Sequence, residues 1–424
     1  MLDIKYIREN TEKVKAGVAA KQFDPSLVDA LLELDRKRRE LMGQTEELRA
    51  KRNENAEKLK EQTQKGQKPD ESLIEEGKKI KEELKEKEPQ LTVLNEEFNK
   101  SLKEIPNPPA GDVITGKDDT ENEVIRKWGE PKEFNFNVKD FAELGESLGI
   151  VDVERAAKVS GARFFYLKGD GVLMQFALER FALETLMTEG FVPVIPPVLI
   201  KKESMAGMGY MEHGGEEDMY VLDKDGLILV ATSEQSIGPM HMDEVFDASE
   251  LPKRYMGFST CFRREAGSYG KDTKGAFRVH QFQKVEMFSY TKPENGDKEH
   301  EFLLSIEEKF LQALGIPYQV AKMCSGDLGL PASRKYDLEG WFPSQKKYRE
   351  LTSTSTTTDY QARRLNTKYR EGDKTEYVHM LNGTAFSQRP ILAILENYQQ
   401  EDGSVVVPEV LRKWVGKEKI IRKK

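Results

Sequence analysis

The chain of 424 residues has few cysteines and no long apolar run, and each absence excludes a class of protein. Its two cysteines, Cys261 and Cys324, form no CxxC pair, which excludes a disulfide framework and an all-cysteine zinc site. No apolar stretch is long enough to span a bilayer, and the charged N-terminus MLDIKYIRENTEK has no signal-peptide core. We therefore expect a protein of the reducing cytoplasm without a membrane segment.

Histidine is also scarce, and the chain lacks a complete P-loop. The five histidines are His213, His241, His280, His300 and His379. None forms an i, i+4 pair typical of a metal site, so we interpret them as structural. Residues 111–118, GDVITGKD, match the P-loop spacing up to the lysine, but Asp118 replaces the required Ser or Thr and an acidic stretch follows. Phosphate-binding groups are therefore expected elsewhere.

Apolar residues repeat at heptad spacing in the N-terminal quarter of the chain. The first seam consists of Leu27, Leu31, Leu34, Leu41 and Leu48, and the second of Leu73, Ile80, Leu84, Leu91, Leu94 and Phe98. The break between them, KGQKPDES, predicts two helices folded back as an antiparallel hairpin. At about 1.5 Å per residue the first helix would be about 50 Å long, so we expect it to project into solvent. Pro89 predicts a kink in the second helix.

Basic residues occur on the outer faces of this predicted hairpin. They include Arg36, Arg38, Arg39, Arg49, Lys51 and Arg52. Such a cluster could neutralise phosphates, and the net charge of -8 does not argue against this because local clustering sets the field at a binding face. Two other interpretations stay open at this point: ordinary ion pairs along the helices, and a coiled coil used only for dimerisation or as a spacer.

The proline-rich segment IPNPPAGD marks the best domain boundary in the chain. We expect an arm domain over residues 1–105 and a second domain over residues 106–424. The second domain mixes short strand-like runs with helical stretches such as MQFALERFALETLM. This pattern predicts an α+β fold in which helices flank an antiparallel sheet.

The strongest chemical signal lies in two strand-like runs that flank a loop rich in Gly, Lys and Arg. On a strand, Arg263 and Glu265 would share one face, although the pair alone also fits a solvated cross-strand ion pair. Further along the chain lie Arg278, Phe282, Glu286 and, at the start of an apolar helix, Arg389. Arginines so placed suit a polyphosphate, because nucleotidyl transfer needs positioning and charge stabilisation.

These segments resemble the motifs of class II aminoacyl-tRNA synthetases, in the form found in the seryl-tRNA synthetase family. FRREAG with RVHQFQKVEMF resembles motif 2, GFVPVIPPVLI motif 1, and NGTAFSQRPILAILENYQ motif 3, while ATSEQ resembles the serine-binding loop of the family. The resemblance covers nearly the whole chain, including the hairpin. It implies the class II catalytic fold, an arm that reads transfer RNA, and a homodimer with Pro197 at the interface.

The resemblance also implies the reaction. The chain would activate L-serine with ATP and Mg²⁺ to seryl-adenylate and transfer serine to the 3′ end of serine tRNA. One subunit's hairpin would serve the active site of the other. Whether selenocysteine tRNA is charged as well stays open.

Site residues follow from the resemblance by position. The implied serine-binding residues are Thr232, Ser233, Glu234, Arg263, Glu286, Asn382 and Thr384. The implied ATP-binding residues are Arg263, Arg264, Glu265, Arg278, Val279, His280, Gln281, Phe282, Glu350, Leu351, Thr352, Ser353 and Arg389. Glu350 and Ser353 would hold Mg²⁺, and Arg263, Glu286 and Arg389 would be catalytic.

Some positions depart from the family pattern. The loop between Thr384 and Arg389 is one residue shorter than the pattern, and Gly340 replaces a larger side chain. Thr354 and Thr356 stand where Cys and Asn are common. Two rival functions are a synthetase-like ligase that loads a carrier protein and a coiled-coil scaffold without catalysis.

Overall fold

The computed structural model describes residues 1–266 and 276–422, which form two compact units. The first unit comprises Leu2–Ala19 and Phe23–Pro106, and the second comprises Met1, Ala20–Gln22 and the chain from Asn107 onward. The tip of the predicted Gly-rich loop lies outside the described residues. Within the described ranges, every helix is too short or too polar to cross a membrane.

Four helices build the first unit. They are α1 (Ile4–Glu9), α2 (Thr11–Ala20), α3 (Ser26–Gln64) and α4 (Glu71–Glu104). The amide of Asn55 donates to Glu76, whereas Arg38 donates to Asn95, so α3 and α4 run antiparallel. The predicted hairpin of two long helices is confirmed, and α4 continues through Pro89 as one helix.

The interface of α3 with α4 is partly polar. Its buried side chains include Leu31, Thr45, Asn55, Ile80, Leu84 and Phe98. Most basic residues of the hairpin form ion pairs: Arg36 with Glu33, Arg38 and Arg39 with Asp35, Arg49 with Glu88, and Lys51 with Glu47. The pairs of Arg36, Arg49 and Lys51 are exposed and contribute little to stability, whereas Asp35 is buried. The Arg38 guanidinium also lies 4.3 Å from the centroid of the Phe98 ring.

The second unit contains the remaining helices and all strands of the described residues. Its helices are α5 (Phe141–Ser147), α6 (Val153–Ser160), α7 (Asp170–Thr188), α8 (Lys202–Met208), α9 (Glu234–Ile237), α10 (Gly296–Leu314), α11 (Tyr360–Leu365), α12 (Arg389–Asn397) and α13 (Arg412–Val415). Its strands are β1 (Glu123–Trp128), β2 (Val151–Asp152), β3 (Tyr166–Leu167), β4 (Val192–Val194), β5 (Leu199–Lys201), β6 (Val221–Leu222), β7 (Leu227–Leu229), β8 (Val245–Asp247), β9 (Lys253–Phe262), β10 (Gln281–Thr291), β11 (Tyr318–Lys322), β12 (Arg334–Phe342), β13 (Lys347–Thr356), β14 (Lys368–Glu371), β15 (Lys374–Tyr377), β16 (His379–Phe386), β17 (Val405–Val406) and β18 (Lys419–Ile420).

Eight of these strands form the central sheet, in the order β1-β11-β12-β13-β16-β10-β9-β4. Neighbours are antiparallel except β4, which pairs parallel with β9. The predicted α+β fold with an antiparallel sheet and flanking helices is confirmed. Helices α7, α10 and α12 pack on the sheet and bury a continuous apolar core.

Strand alternation decides which side chains enter this core. Along β10, Met287 joins the apolar core, and its neighbour Glu286 points to the other face of the sheet. Glu286 stands directly opposite Thr384 of β16. The face opposite the core therefore presents polar side chains from several strands.

Candidate active site

Side chains from four segments, one of them β16 with Thr384, line one open pocket on the polar face of the sheet. The β9–β10 hairpin pairs Phe262 with Gln281, which brings the end of β9 close to the start of β10. Strand β13 and the start of α12 supply the other walls. Predicted site residues that line the pocket are Arg263, Glu265, Val279, Phe282, Glu350, Leu351, Thr352, Ser353, Thr384 and Arg389.

Two arginines from separate segments form what we call the cationic end of the pocket, together with Glu350. Arg389 begins α12, and Pro390 fits the first turn of that helix because its fixed φ suits this position. The Arg389 guanidinium lies 2.8 Å from a Glu350 carboxylate oxygen. Arg263 donates from Nε to the Ala231 carbonyl at 3.3 Å and lies over the Phe282 ring.

These cations control the protonation of Glu350. Partial burial in the pocket opposes ionisation of this carboxyl, but the positive charges of Arg389, Lys335 and Arg263 outweigh it and lower its pKa to about 2. Glu350 is therefore a carboxylate at neutral pH. Arg263 and Arg389 both act on the Glu350 carboxylate, so the end of β9 and the start of α12 meet at this point of the pocket.

Glu265 does not share a strand face with Arg263, and that prediction was wrong. Strand β9 ends at Phe262, and Glu265 adopts a left-handed conformation with φ of 53°. The turn directs its carboxylate to Arg278, whose guanidinium lies 3.0 Å away. Alternation applies only within a strand, and here the strand ends at the residue before Arg263.

A β-bulge in β13 places Glu350 and Ser353 on the same side of the sheet. Thr352 pairs with Leu338 and Glu350 pairs with Glu339, so Leu351 is an extra residue on β13. On a regular strand, residues three apart point to opposite faces. Because of the bulge, Leu351 and Thr352 are both buried, while Glu350 and Ser353 are partly exposed.

Lys284 and Thr384 also line the pocket, and next to them lie the carboxylates of Glu234 and Glu286, which do not line it; we call these four residues the acidic end. The Lys284 ammonium lies 2.6 Å from Glu286 Oε2. Glu234 accepts hydrogen bonds from the Tyr210 hydroxyl at 2.9 Å and from the Gln361 amide at 3.3 Å.

Both carboxylates of the acidic end are almost fully buried, and burial raises the pKa of each. For Glu234 burial and the negative charge of Glu286 raise the pKa to about 7, although Lys284 and hydrogen bonds from Tyr210 and Gln361 oppose the shift. For Glu286, Lys284, Thr384 and Arg263 oppose the effect of burial. This end can therefore bind a cationic, hydroxyl-bearing molecule, beside arginines suited to phosphates.

Two family patterns match the chain. Residues 1–109 match the "Seryl-tRNA synthetase N-terminal domain", and residues 220–398 match the "tRNA synthetase class II core domain (G, H, P, S and T)". A curated "Serine--tRNA ligase" of Dictyoglomus turgidum is 44% identical, with 100% of both chains covered. A second, of Thermobifida fusca, is 45% identical and covers 99% of this chain and 98% of the relative. The chain belongs to the seryl-tRNA synthetase family.

Solved structures of seryl-tRNA synthetases agree with this assignment. The Pyrococcus horikoshii enzyme complexed with ATP superposes with a TM-score of 0.94, at 40% identity and 100% coverage of both chains. The Naegleria fowleri cytoplasmic enzyme in complex with AMP gives 0.89 at 35% identity, covering 100% of this chain and 99% of the other. A Giardia lamblia prolyl-tRNA synthetase, at 17% identity and a TM-score of 0.57 over 64% of this chain and 54% of the other, shares the fold.

Other predicted site residues of this seryl-tRNA synthetase lie beside the pocket. The His280 carbonyl accepts a hydrogen bond from the Arg263 backbone amide, and the His280 ring packs on Phe164. Arg264 and Gln281 are exposed. Ser233 is buried and donates to the Gly257 carbonyl at 3.1 Å.

The remaining residues predicted to bind serine lie on β16 and just before α9. Asn382 and Thr384 share one face of β16, two residues apart. Thr232 precedes α9, where its hydroxyl accepts from the Glu234 amide at 3.4 Å and from Lys284 at 3.2 Å. Within the described ranges, no group of three or more His, Cys, Asp or Glu side chains is arranged to hold a metal alone.

Sequence reasoning missed three residues of the acidic end. Lys284 lies two residues before Glu286 on β10, so strand alternation could have placed it on the same face. Tyr210 follows α8, and Gln361 lies in α11. Both are far along the chain from the motifs, and no sequence spacing links either of them to Glu234.

Proposed function

We propose that this pocket activates L-serine with ATP and that the product is transferred to serine tRNA. The observation that carries the proposal is the convergence of Arg263 and Arg389 on one pocket that Lys284 also lines, with the buried Glu286 paired to Lys284 and Glu234 beside it. The cationic end receives the phosphates, and the acidic end receives the amino acid. Family membership supports the same reaction.

Serine is held at the acidic end. Thr232 and Glu234 take the ammonium group, and Glu286 accepts a hydrogen bond from the hydroxyl, with Asn382 and Thr384 in the same wall. A buried carboxylate that lacks its hydrogen-bond partner is costly, so alanine and glycine are penalised. The serine carboxylate points toward Arg263.

ATP is held at the cationic end. Arg263 bridges the serine carboxylate and the α-phosphate, Arg389 binds the γ-phosphate, and Phe282 stacks on the adenine while Glu265 meets its amino group. The serine carboxylate then attacks the α-phosphorus, pyrophosphate leaves, and fixed cations stabilise the added negative charge. This step needs no nucleophile from the protein.

The donor set fits Mg²⁺. Magnesium takes one or two carboxylate or hydroxyl oxygens from a protein and completes its shell with phosphates and water. The bulge at Leu351 brings Glu350 and Ser353 to the same side, and Glu350 is ionised at neutral pH. Bound there, Mg²⁺ would neutralise phosphate charge, and these two residues would hold it.

Exposed apolar residues support the proposed homodimer. Ile195 is 84% exposed and Phe176 60% exposed, and Val192 and Pro197 are exposed as well. Phe176 lies on α7 and Val192 on β4, two elements that contact each other, and Ile195 and Pro197 follow β4 directly. Large exposed apolar side chains grouped in this way are typical of a protein interface.

The N-terminal hairpin is the proposed tRNA-binding arm, with a functional boundary at residues 105 and 106. Arg36, Arg39, Arg49, Lys51 and Arg52 are exposed and can reach phosphates, and Arg36, Arg49 and Lys51 would exchange only weak, exposed ion pairs for them. Arg38 is half-buried against Phe98 and contributes less. An arm of one subunit serves the active site of the other, and the enzyme works in the cytoplasm.

Amino-acid-dependent exchange between pyrophosphate and ATP tests the proposal. Serine should support exchange and should then be transferred to serine tRNA. Exchange with another amino acid alone would contradict the specificity, and no exchange at all would favour a scaffold. Exchange with serine but without charging of tRNA would favour loading of a carrier protein.

A further inference from the structure

Lys284 joins two parts of the acidic end that come from different elements. It lies on β10, and its ammonium is 2.6 Å from Glu286 Oε2 on the same strand. The same ammonium donates to the Thr232 hydroxyl, just before α9, at 3.2 Å. The Lys284 side chain is only 9% exposed, so these contacts are made out of water.

Among the described residues, the two carboxylates of the acidic end share one ion pair, the one between Lys284 and Glu286. Glu234 and Glu286 are both buried, and Glu234 is hydrogen-bonded by the neutral groups of Tyr210 and Gln361. Within the described part of the chain, Lys284 makes the ion pair with Glu286, and the side-chain partners of Glu234 are the uncharged Tyr210 and Gln361. Other charged or titratable groups that face this cluster are Arg263, Glu307 and Cys261.

We propose that Lys284 is a positioning and specificity residue, which neutralises Glu286 and leaves Glu234 as the one carboxylate that must find a cation in the amino acid. This inference rests on the proposed function. It assigns the two carboxylates different tasks: Glu286 stays ionised to accept the serine hydroxyl, and Glu234 pairs with the ammonium group. Lys284 also fixes Thr232 to Glu286, which holds the two substrate contacts at a constant spacing.

The variant Lys284→Met removes the ammonium and keeps the length of the side chain. We expect the KM for serine in pyrophosphate exchange to rise at least about tenfold, because one buried partner of an ion pair is lost, while the KM for ATP changes less than about twofold. Lys284→Arg keeps the charge and should recover part of the loss. Lys309→Met, which removes a surface lysine paired with Glu189, is the matched control and should leave both constants unchanged.

The pH profile separates this role from a structural one. Two uncompensated carboxylates share the site in Lys284→Met, so the acid limb of kcat/KM for serine should move to higher pH and approach a two-proton slope. Lys284→Met/Glu286→Gln removes the second carboxylate and should return to a one-proton limb with a raised KM for serine. This double variant also covers the case in which the single variant does not fold.

The outcomes distinguish this inference from the proposed function. A wild-type enzyme without serine-dependent exchange would refute the proposed function itself. An active wild type with an unchanged serine KM and acid limb in Lys284→Met would overturn only the role of Lys284. Equal rises in both KM values, with no change in the limb, would also overturn it, because they would indicate general damage to the pocket.

Discussion

The cationic end and the acidic end of the pocket shift the pKa of their carboxyl groups in opposite directions. Arginines and a lysine lower the pKa of Glu350 to about 2 despite burial, whereas burial and a second carboxylate raise that of Glu234 to about 7. The residue type is the same at both ends. The charges of the neighbouring groups therefore decide the direction of the pKa shift. The cationic end suits phosphates and a metal ion, and the acidic end suits an ammonium group.

Removing a cation from the cationic end should have the largest effect. For Arg263→Ala we expect serine-dependent pyrophosphate exchange to fall by about 10² to 10³, because charge on the α-phosphate loses a fixed partner. Steady-state exchange kinetics measure the loss, and circular dichroism checks that the fold persists. Arg126→Ala is the control, because it removes an arginine of β1 that pairs with Glu308 of α10. Exchange rates like those of the wild type would show that the cationic end does not bind the reacting phosphate.

At the acidic end, a change in Glu286 should alter the choice of amino acid. We expect Glu286→Ala to reduce the preference for serine over alanine at least about hundredfold, because no buried acceptor then remains to penalise a missing hydroxyl. The ratio of kcat/KM values for the two amino acids measures this preference. Glu250→Ala, at an exposed ion pair with Lys253, should keep it. An unchanged ratio would place the hydroxyl elsewhere.

The two ends should also differ in their response to pH. A raised pKa means that Glu234 holds a proton below about pH 7, and the protonated group cannot pair with the ammonium. We therefore expect kcat/KM for serine to fall by about tenfold per pH unit below pH 7, while the KM for ATP stays constant from pH 6 to 8 because Glu350 remains ionised. Glu234→Gln should be less active and show no acid limb. Parallel pH profiles for serine and ATP would contradict the difference between the ends.

The smallest effect concerns Glu307, a carboxyl of α10 that does not line the pocket. Glu307 of α10 is fully buried, accepts from the Thr352 hydroxyl at 3.0 Å, and has its pKa raised well above the usual value by burial. Its proton stays on in the folded protein but is lost in the unfolded chain above about pH 4.5, so its contribution to stability falls as pH rises. Glu307→Gln should therefore unfold a few degrees higher than the wild type at pH 7.5, with the gap closing toward pH 5. Thermal unfolding at both pH values measures the gap, and a constant gap would exclude this titration.

Much of the fold could be predicted because its signals are local. Heptad spacing in α3 and α4, and the breaker between them, define the hairpin. The apolar run after Arg389 predicts the helix that places this arginine. Glu286 and Thr384 could be assigned only through the resemblance, since their pairing joins strands nearly one hundred residues apart.

The geometry of the pocket depends on features that residue spacing does not reveal. The end of β9 at Phe262 and the left-handed turn at Glu265 direct this carboxylate to Arg278. The bulge at Leu351 depends on room beside Gly340, where an added Cβ would lie 2.3 Å from Leu351 Cδ1. The small residue that departs from the family pattern thus accommodates the bulged side chain.

Binding of a non-hydrolysable seryl-adenylate analogue tests the central claim most directly, because one molecule would fill both ends of the pocket. Calorimetry with the wild-type chain should show that the analogue excludes ATP and also excludes serine. An analogue that competes with only one of the two ligands would contradict the account, since serine and ATP would then occupy separate sites.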